Sequence, residues 1–172
     1  MNQRANDQLL ENTDSENSQQ FLSFKLGGEE YGIDILKVQE IKGWEGATPI
    51  PNMPSYILGV INLRGTVVPI INLRAFFDME ALQFTKTTVV IVVRVADSEK
   101  GERTMGLVVD AVSEVHNITQ DELRPAPEFG GACRSDFIMA LATKANRMII
   151  LLEVDRLIHE GVLESIEGES IA

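Results

Sequence analysis

Apolar residues come along this chain in short bursts rich in Val and Ile, and the clearest spans residues 56–74, YILGVINLRGTVVPIINLR. Two apolar runs, 57–63 and 66–73, meet there at a tight break, Arg64-Gly65. β-Branched residues fit a pleated, half-buried surface better than a helix, so the pattern predicts two antiparallel strands. Gly65 supplies the positive φ of a short hairpin turn, which leaves a guanidinium on the tip of an oily hairpin.

Similar bursts cover the rest of the chain. Residues 21–26 (FLSFKL) predict a strand, 27–30 (GGEE) a turn, and 31–41 (YGIDILKVQEI) a longer strand bent near Leu36. Pro49, Pro51 and Pro54 punctuate the connection after Trp44 and argue against a long helix, with one turn expected near Pro54-Ser55. A strand at 88–95, a charged loop at 97–103, an apolar stretch at 105–115 and a Pro-containing connection at 124–129 follow. Residues 137–157 again hold two apolar runs about a short break. Apolar positions 158, 162, 163 and 166 share one helical face, so a C-terminal helix is expected. Residues 1–20 hold only four apolar positions and cannot offset their ordering entropy. They predict a disordered acidic tail, with order beginning at Phe21.

That order repeats. A shift of 74 lays Gly32-Ile33-Asp34-Ile35 over Gly106-Leu107-Val108-Val109, and Val38, Glu40 and Ile41 over Val112, Glu114 and Val115. A shift of 81 lays residues 56–60 over 137–141, and Val67, Val68, Ile70 and Ile71 over Met148, Ile149, Leu151 and Leu152. The difference falls in the Pro-containing connections, where insertions cost little. An internal duplication follows, with units at about 21–85 and 86–161 and a C-terminal remainder, 162–172. About five short strands per copy leave no room for βαβ crossovers and predict small barrels or sandwiches. Each would have a thin core alone, so the two should share an apolar seam.

Charge and composition narrow the functional classes. Residues 1–20 set one arginine against four carboxylates, and residues 153–172 one arginine against six, so the net charge of −11 is concentrated at the ends. The body is nearly balanced and offers no basic footprint for nucleic acid or anionic lipid. No apolar run exceeds about five residues, far short of a membrane span, and no signal-peptide core opens the chain. A single cysteine, Cys133, fits a reducing cytoplasm.

Catalytic and metal patterns are weak. His116 and His159 are the two histidines, far apart and without the spacing of a zinc site. The glycine pairs 27–28 and 130–131 do not open helices in βαβ units, so no phosphate cradle is expected. Cys133 reads as a small loop residue. Asp34, Glu40, Asp110 and Glu114 recur in both copies and read as polar positions on solvated strand faces rather than paired catalytic acids. A non-enzyme without cofactors is expected.

Arg64 is more informative, because its place in the second copy is taken by Ala145, and that of Gly65 by Asn146. Asn tolerates the left-handed region, so the turn does not need the arginine. Gly59 is Ala140 in the second copy, small in both, which suggests close approach of another backbone. Glu40 and Arg64 could pair on a barrel surface, a weak contribution to stability but a good determinant of specificity.

These residues resemble a known family, the CheW-type coupling proteins of bacterial chemotaxis. The matching runs are 30–35 (EYGIDI), 38–41 (VQEI), 59–65 (GVINLRG), 68–74 (VPIINLR) and 124–129 (RPAPEF), in order over about residues 20–160. The charged loop at 97–103 looks longer than is usual in the family. The resemblance implies a mainly β fold of two intertwined five-stranded SH3-like barrels. It also implies a non-catalytic cytoplasmic adaptor at the chemoreceptor array. Its partners would be the cytoplasmic tip of methyl-accepting chemoreceptors and the regulatory domain of the histidine kinase CheA. Val38, Glu40, Gly59, Arg64 and Gly65 match positions tied to that engagement. Two alternatives stay open: an adaptor of a related system controlling pili or second-messenger output, and a small-molecule-binding barrel.

Overall fold

Strand pairing in this chain follows the duplication, but neither sheet is drawn from one stretch of sequence. The computed structural model describes residues 18–81, 83–97, 101–126, 135–163 and 166. Among them are eleven strands: β1 (Ser18–Leu26), β2 (Glu29–Asp34), β3 (Val38–Gly43), β4 (Ile57–Leu63), β5 (Thr66–Asn72), β6 (Val89–Asp97), β7 (Gly101–Val109), β8 (Ala111–Thr119), β9 (Leu123–Arg124), β10 (Ile138–Lys144) and β11 (Arg147–Leu152). The first lobe is a sheet of order β3-β6-β7-β5-β4, and the second a sheet of order β8-β1-β2-β11-β10-β9. Substituting repeat mates (β1 for β6, β2 for β7, β3 for β8, β4 for β10, β5 for β11) turns one order into the other, with β9 added. Each lobe therefore takes its central hairpin from the opposite copy.

The irregularities repeat as well. The β4–β5 ladder slips between Ile57 and Gly59, and the β10–β11 ladder between their counterparts Ile138 and Ala140. The parallel pairs match in register: Ile70 faces Gly106, and Leu151 faces Gly32. A Cβ on Gly106 would lie 2.5 Å from Ile70 Cδ1, and one on Gly32 2.9 Å from Leu151 Cδ2. Glycine at both sites lets the exchanged hairpin close onto its partner strand.

The bend at Leu36 is where the chain changes lobes. A 3-10 turn, Ile35–Lys37, separates β2 from β3, and the Asp34 carboxylate accepts the Leu36 amide at 3.0 Å. Asp110 marks the corresponding crossing between β7 and β8. It takes two hydrogen bonds from Arg74, at 2.7 and 2.6 Å, and one from the Gly27 amide at 3.0 Å. Burial raises the Asp110 carboxyl, but the bonds from Arg74 and Gly27 outweigh it and hold the group below its ordinary value. The second copy reverses the polarity of this tie: Asp155, the counterpart of Arg74, pairs with Lys37 at 3.0 Å. Asp34 and Asp110 are thus structural ligands of the two crossings, not solvated strand positions.

Both faces of the central strands are buried. Leu22, Phe24, Leu26 and Ile33 from one sheet meet Ile71, Ile91, Val93, Val95, Leu107 and Val109 from the other in a shared core. The alternate residues fill each lobe: Val68, Ile70, Val90, Val92 and Val108 in the first, Phe21, Ile118, Ala142, Ile149 and Leu151 in the second. Two-sided burial explains the unbroken aliphatic runs.

Three boundaries differ from the expectation. β1 begins at Ser18, because residues 18–20 pair with Asn117, Ile118 and Thr119; residues 1–17 lie outside the described residues. Of the expected loop at 97–103, Asp97 and residues 101–103 are strand, with pairing out to Asp97 opposite Gly101, and residues 98–100 lie outside the described residues. Its charges bond across the hairpin, Arg103 to Asp97 at 2.8 Å and Arg94 to Glu102 at 3.4 Å. The C-terminal helix starts at Val154 and continues as a π-helical stretch, Leu157–Leu163, with Gly161 seated against Phe76 and Phe137. Cys133 falls outside the described residues.

Candidate partner-binding surface

β3 and β4 are the two outer strands of the first lobe, and the residues singled out from sequence lie where these outer strands come together. Arg64 and Gly65 both have positive φ, 51° and 88°, the pattern of a type I′ turn. The expectation placed only Gly65 in that region; the arginine is there too. Asn62 Oδ1 accepts the Gly65 amide at 2.7 Å and braces the turn. Ala145 and Asn146 adopt the same geometry, at 51° and 62°. Neither the brace nor the turn uses the Arg64 side chain.

That side chain remains 68% exposed and donates to the Glu40 carboxylate on β3. The bond raises the already high pKa of the guanidinium. Val38 opens β3, half-buried against the shared core, and the β3–β6 ladder slips between Val38 and Glu40. Ile41 and Val67 stand exposed beside this clasp, next to Glu40 and opposite Asn62 respectively.

Gly59 belongs to a different part of the same structure. It is buried, with φ at 138°, and a Cβ there would sit 2.0 Å from the Thr48 carbonyl oxygen. Thr48 and the next residue of β4, Val60, exchange backbone hydrogen bonds at 2.9 Å in each direction. The glycine admits that backbone, as its small counterpart suggested. Gly59 presents no surface to a neighbour, whereas Val38, Glu40, Arg64 and Gly65 are grouped around one lobe end.

Sequence reasoning missed the second clasp. Glu114, the counterpart of Glu40, binds Arg147 at 2.9 Å, and Arg147 also lies 3.7 Å from the largely buried Glu30. Arg147 is two residues beyond the position equivalent to Arg64, so a gap-free comparison set Ala145 against Arg64. His116 is buried behind this pair, 3.5 Å from Glu114 and 3.8 Å from Glu30. Val115 and Met148, the counterparts of Ile41 and Val67, are likewise exposed. Glu40 forms the pair with Arg64 that the sequence allowed, and Glu114 is a clasp residue too, which corrects its reading as a position on a solvated strand face. Among the described residues no cluster of His, Cys, Asp or Glu could hold a metal, and no helix is long and apolar enough to cross a membrane.

Comparison with known proteins agrees with this architecture. The CheW-like domain family model matches residues 20–162. The chemotaxis protein CheW of Klebsiella aerogenes is 46% identical over 140 residues, 81% of either chain. That of Rhizobium meliloti is 38% identical over 136 residues, 79% of this chain and 84% of its own. The crystal structure of the scaffolding protein TtCheW from Thermoanaerobacter tengcongensis superposes with a TM-score of 0.73 at 32% identity, covering 83% of this chain and 93% of that one. A double-lobed β fold, a family match across nearly the whole described region and relatives at this identity together establish that the chain belongs to the CheW-like domain family.

Proposed function

We propose that this chain is a non-catalytic cytoplasmic scaffold of bacterial chemotaxis, joining the cytoplasmic tips of chemoreceptors to the regulatory domain of the histidine kinase CheA. The carrying observation is the Arg64–Glu40 clasp: the turn is braced by Asn62 and Gly65, while the guanidinium stays largely in solvent. A receptor tip is a helical hairpin with an apolar stripe, which suits the exposed Ile41 and Val67, with the clasp setting register at the rim. Signal transfer is then a shift in populations between kinase-on and kinase-off assemblies, biased by contacts that differ between them.

Arg64→Ala tests this reading. The variant is expected to melt like the parent, because an exposed pair contributes little to stability. It should retain less receptor fragment in a pull-down and give weaker receptor control of kinase phosphorylation. An unfolded variant, or coupling equal to that of the parent, overturns the assignment.

A further inference from the structure

The two clasps are alike at the surface and different behind it. Lys42 faces Val90 as His116 faces Phe21, and Thr104 faces Arg94 as Glu30 faces Lys25. Lys42 and Thr104 therefore stand in the first lobe where the second has His116 and Glu30, and the Arg64–Glu40 pair has neither an imidazole nor a second carboxylate at those positions. Behind the Arg147–Glu114 pair both are present and enclosed, with the His116 side chain 9% exposed and that of Glu30 10%. The charged groups around the ring are Glu30 on β2, Glu114 on β8 and Arg147 on β11, while β1 sets Phe21 opposite it.

With the ring neutral, two carboxylates share one guanidinium: Arg147 is 2.9 Å from Glu114 and 3.7 Å from Glu30. His116 Nε2 and Glu30 Oε1 lie 3.8 Å apart, and both are buried atoms without a hydrogen-bond partner among the described residues. Enclosing a carboxylate with an unbonded oxygen is costly. A neutral ring can carry its hydrogen on Nε2, but it brings no charge and leaves Arg147 to serve both carboxylates. A protonated ring gives that oxygen a charged donor and each carboxylate its own cation.

We propose that the second clasp is a proton-operated switch. When His116 takes up a proton, its Nε2–H turns to Glu30, and Arg147, relieved of that carboxylate, closes on Glu114. When the proton leaves, Arg147 is divided between the two again. Burial decides the pairing, because His116 and Glu30 are the enclosed members and Arg147 and Glu114 the half-exposed ones. Arg147 opens β11 beside the Ala145-Asn146 turn, so the switch sets how firmly that hairpin tip is held to β8. Imidazole is the side chain whose charge ordinarily changes between about pH 5 and 8.

The test is the exchange rate of the Arg147 Hε proton with water, read by NMR on the full ¹⁵N-labelled chain across that pH range. Dividing by the rate for Arg64 Hε removes the dependence on pH common to both, since the first clasp has no imidazole. The ratio is expected to fall about threefold as pH is lowered, with the midpoint at which the His116 ring nitrogens titrate. His116→Gln should hold the ratio at its high value throughout. Glu30→Gln should hold it at its low value, because Arg147 then has one carboxylate at every pH. A flat ratio in the parent, a midpoint apart from that of His116, or a transition that survives either substitution overturns the proposal.

Discussion

At the scale of the residue, Arg64 and Gly59 separate two uses of one lobe end. Arg64 ties the hairpin tip to β3 yet keeps most of its surface in water, so its pairing and its outward contacts can be changed independently. Exchanging the charges, Arg64→Glu with Glu40→Arg, should keep the melting temperature of the parent while leaving receptor binding impaired. A drop in melting temperature on Arg64→Ala that the exchange reverses, together with full receptor binding, would make the pair purely structural. Gly59 behaves in the opposite way. Gly59→Ala forces a Cβ against the Thr48 backbone at a φ that L-residues avoid, and should cost more than about 2 kcal/mol in urea denaturation. Any loss of partner binding in that variant is then a consequence of displacing the Thr48 segment.

At the scale of the element, the crossings govern stability. Asp110 holds Arg74 and Gly27, joining the turn after β5 to the β1–β2 turn of the other lobe. Its pKa is depressed in the fold, so the stabilisation is complete above the ordinary carboxylate range and disappears as pH falls through the folded value. Asp110→Asn should lower stability near neutral pH by about 2 kcal/mol and flatten the acid limb of the urea midpoint against pH. A limb as steep as that of the parent would assign acid sensitivity to other carboxylates. These crossings also mark what the sequence could and could not disclose. Strands, the hairpin break and the bend at Leu36 were legible, because periodicity and glycine report local backbone directly. The partner of Glu114 was hidden: a guanidinium can reach the same carboxylate from a position two residues away, so equal function does not require equal register. The charged stretch at 97–103 looked like a loop because charge alone cannot distinguish solvation from cross-strand pairing. Which lobe receives each hairpin depends on contacts between distant segments, which no local pattern records.

At the scale of the whole molecule, hairpin exchange makes the two lobes one unit. β6–β7 supplies the middle of the first lobe and β1–β2 the middle of the second, with a common core between the sheets. Thermal unfolding should be a single transition with matching calorimetric and van't Hoff enthalpies. A fragment of residues 1–86 should lack the circular dichroism of a folded β protein, since it holds no complete sheet. Two separate transitions, or a folded fragment, would show the lobes to be autonomous. The short crossing at Ile35–Lys37 has a mechanical counterpart. β3, which carries Val38 and Glu40, begins only three residues after β2 leaves the opposite sheet, and Lys37 is moored to Asp155 in between. With so little slack in that connection, a displacement of β3 is expected to be felt at the end of β2 in the opposite sheet.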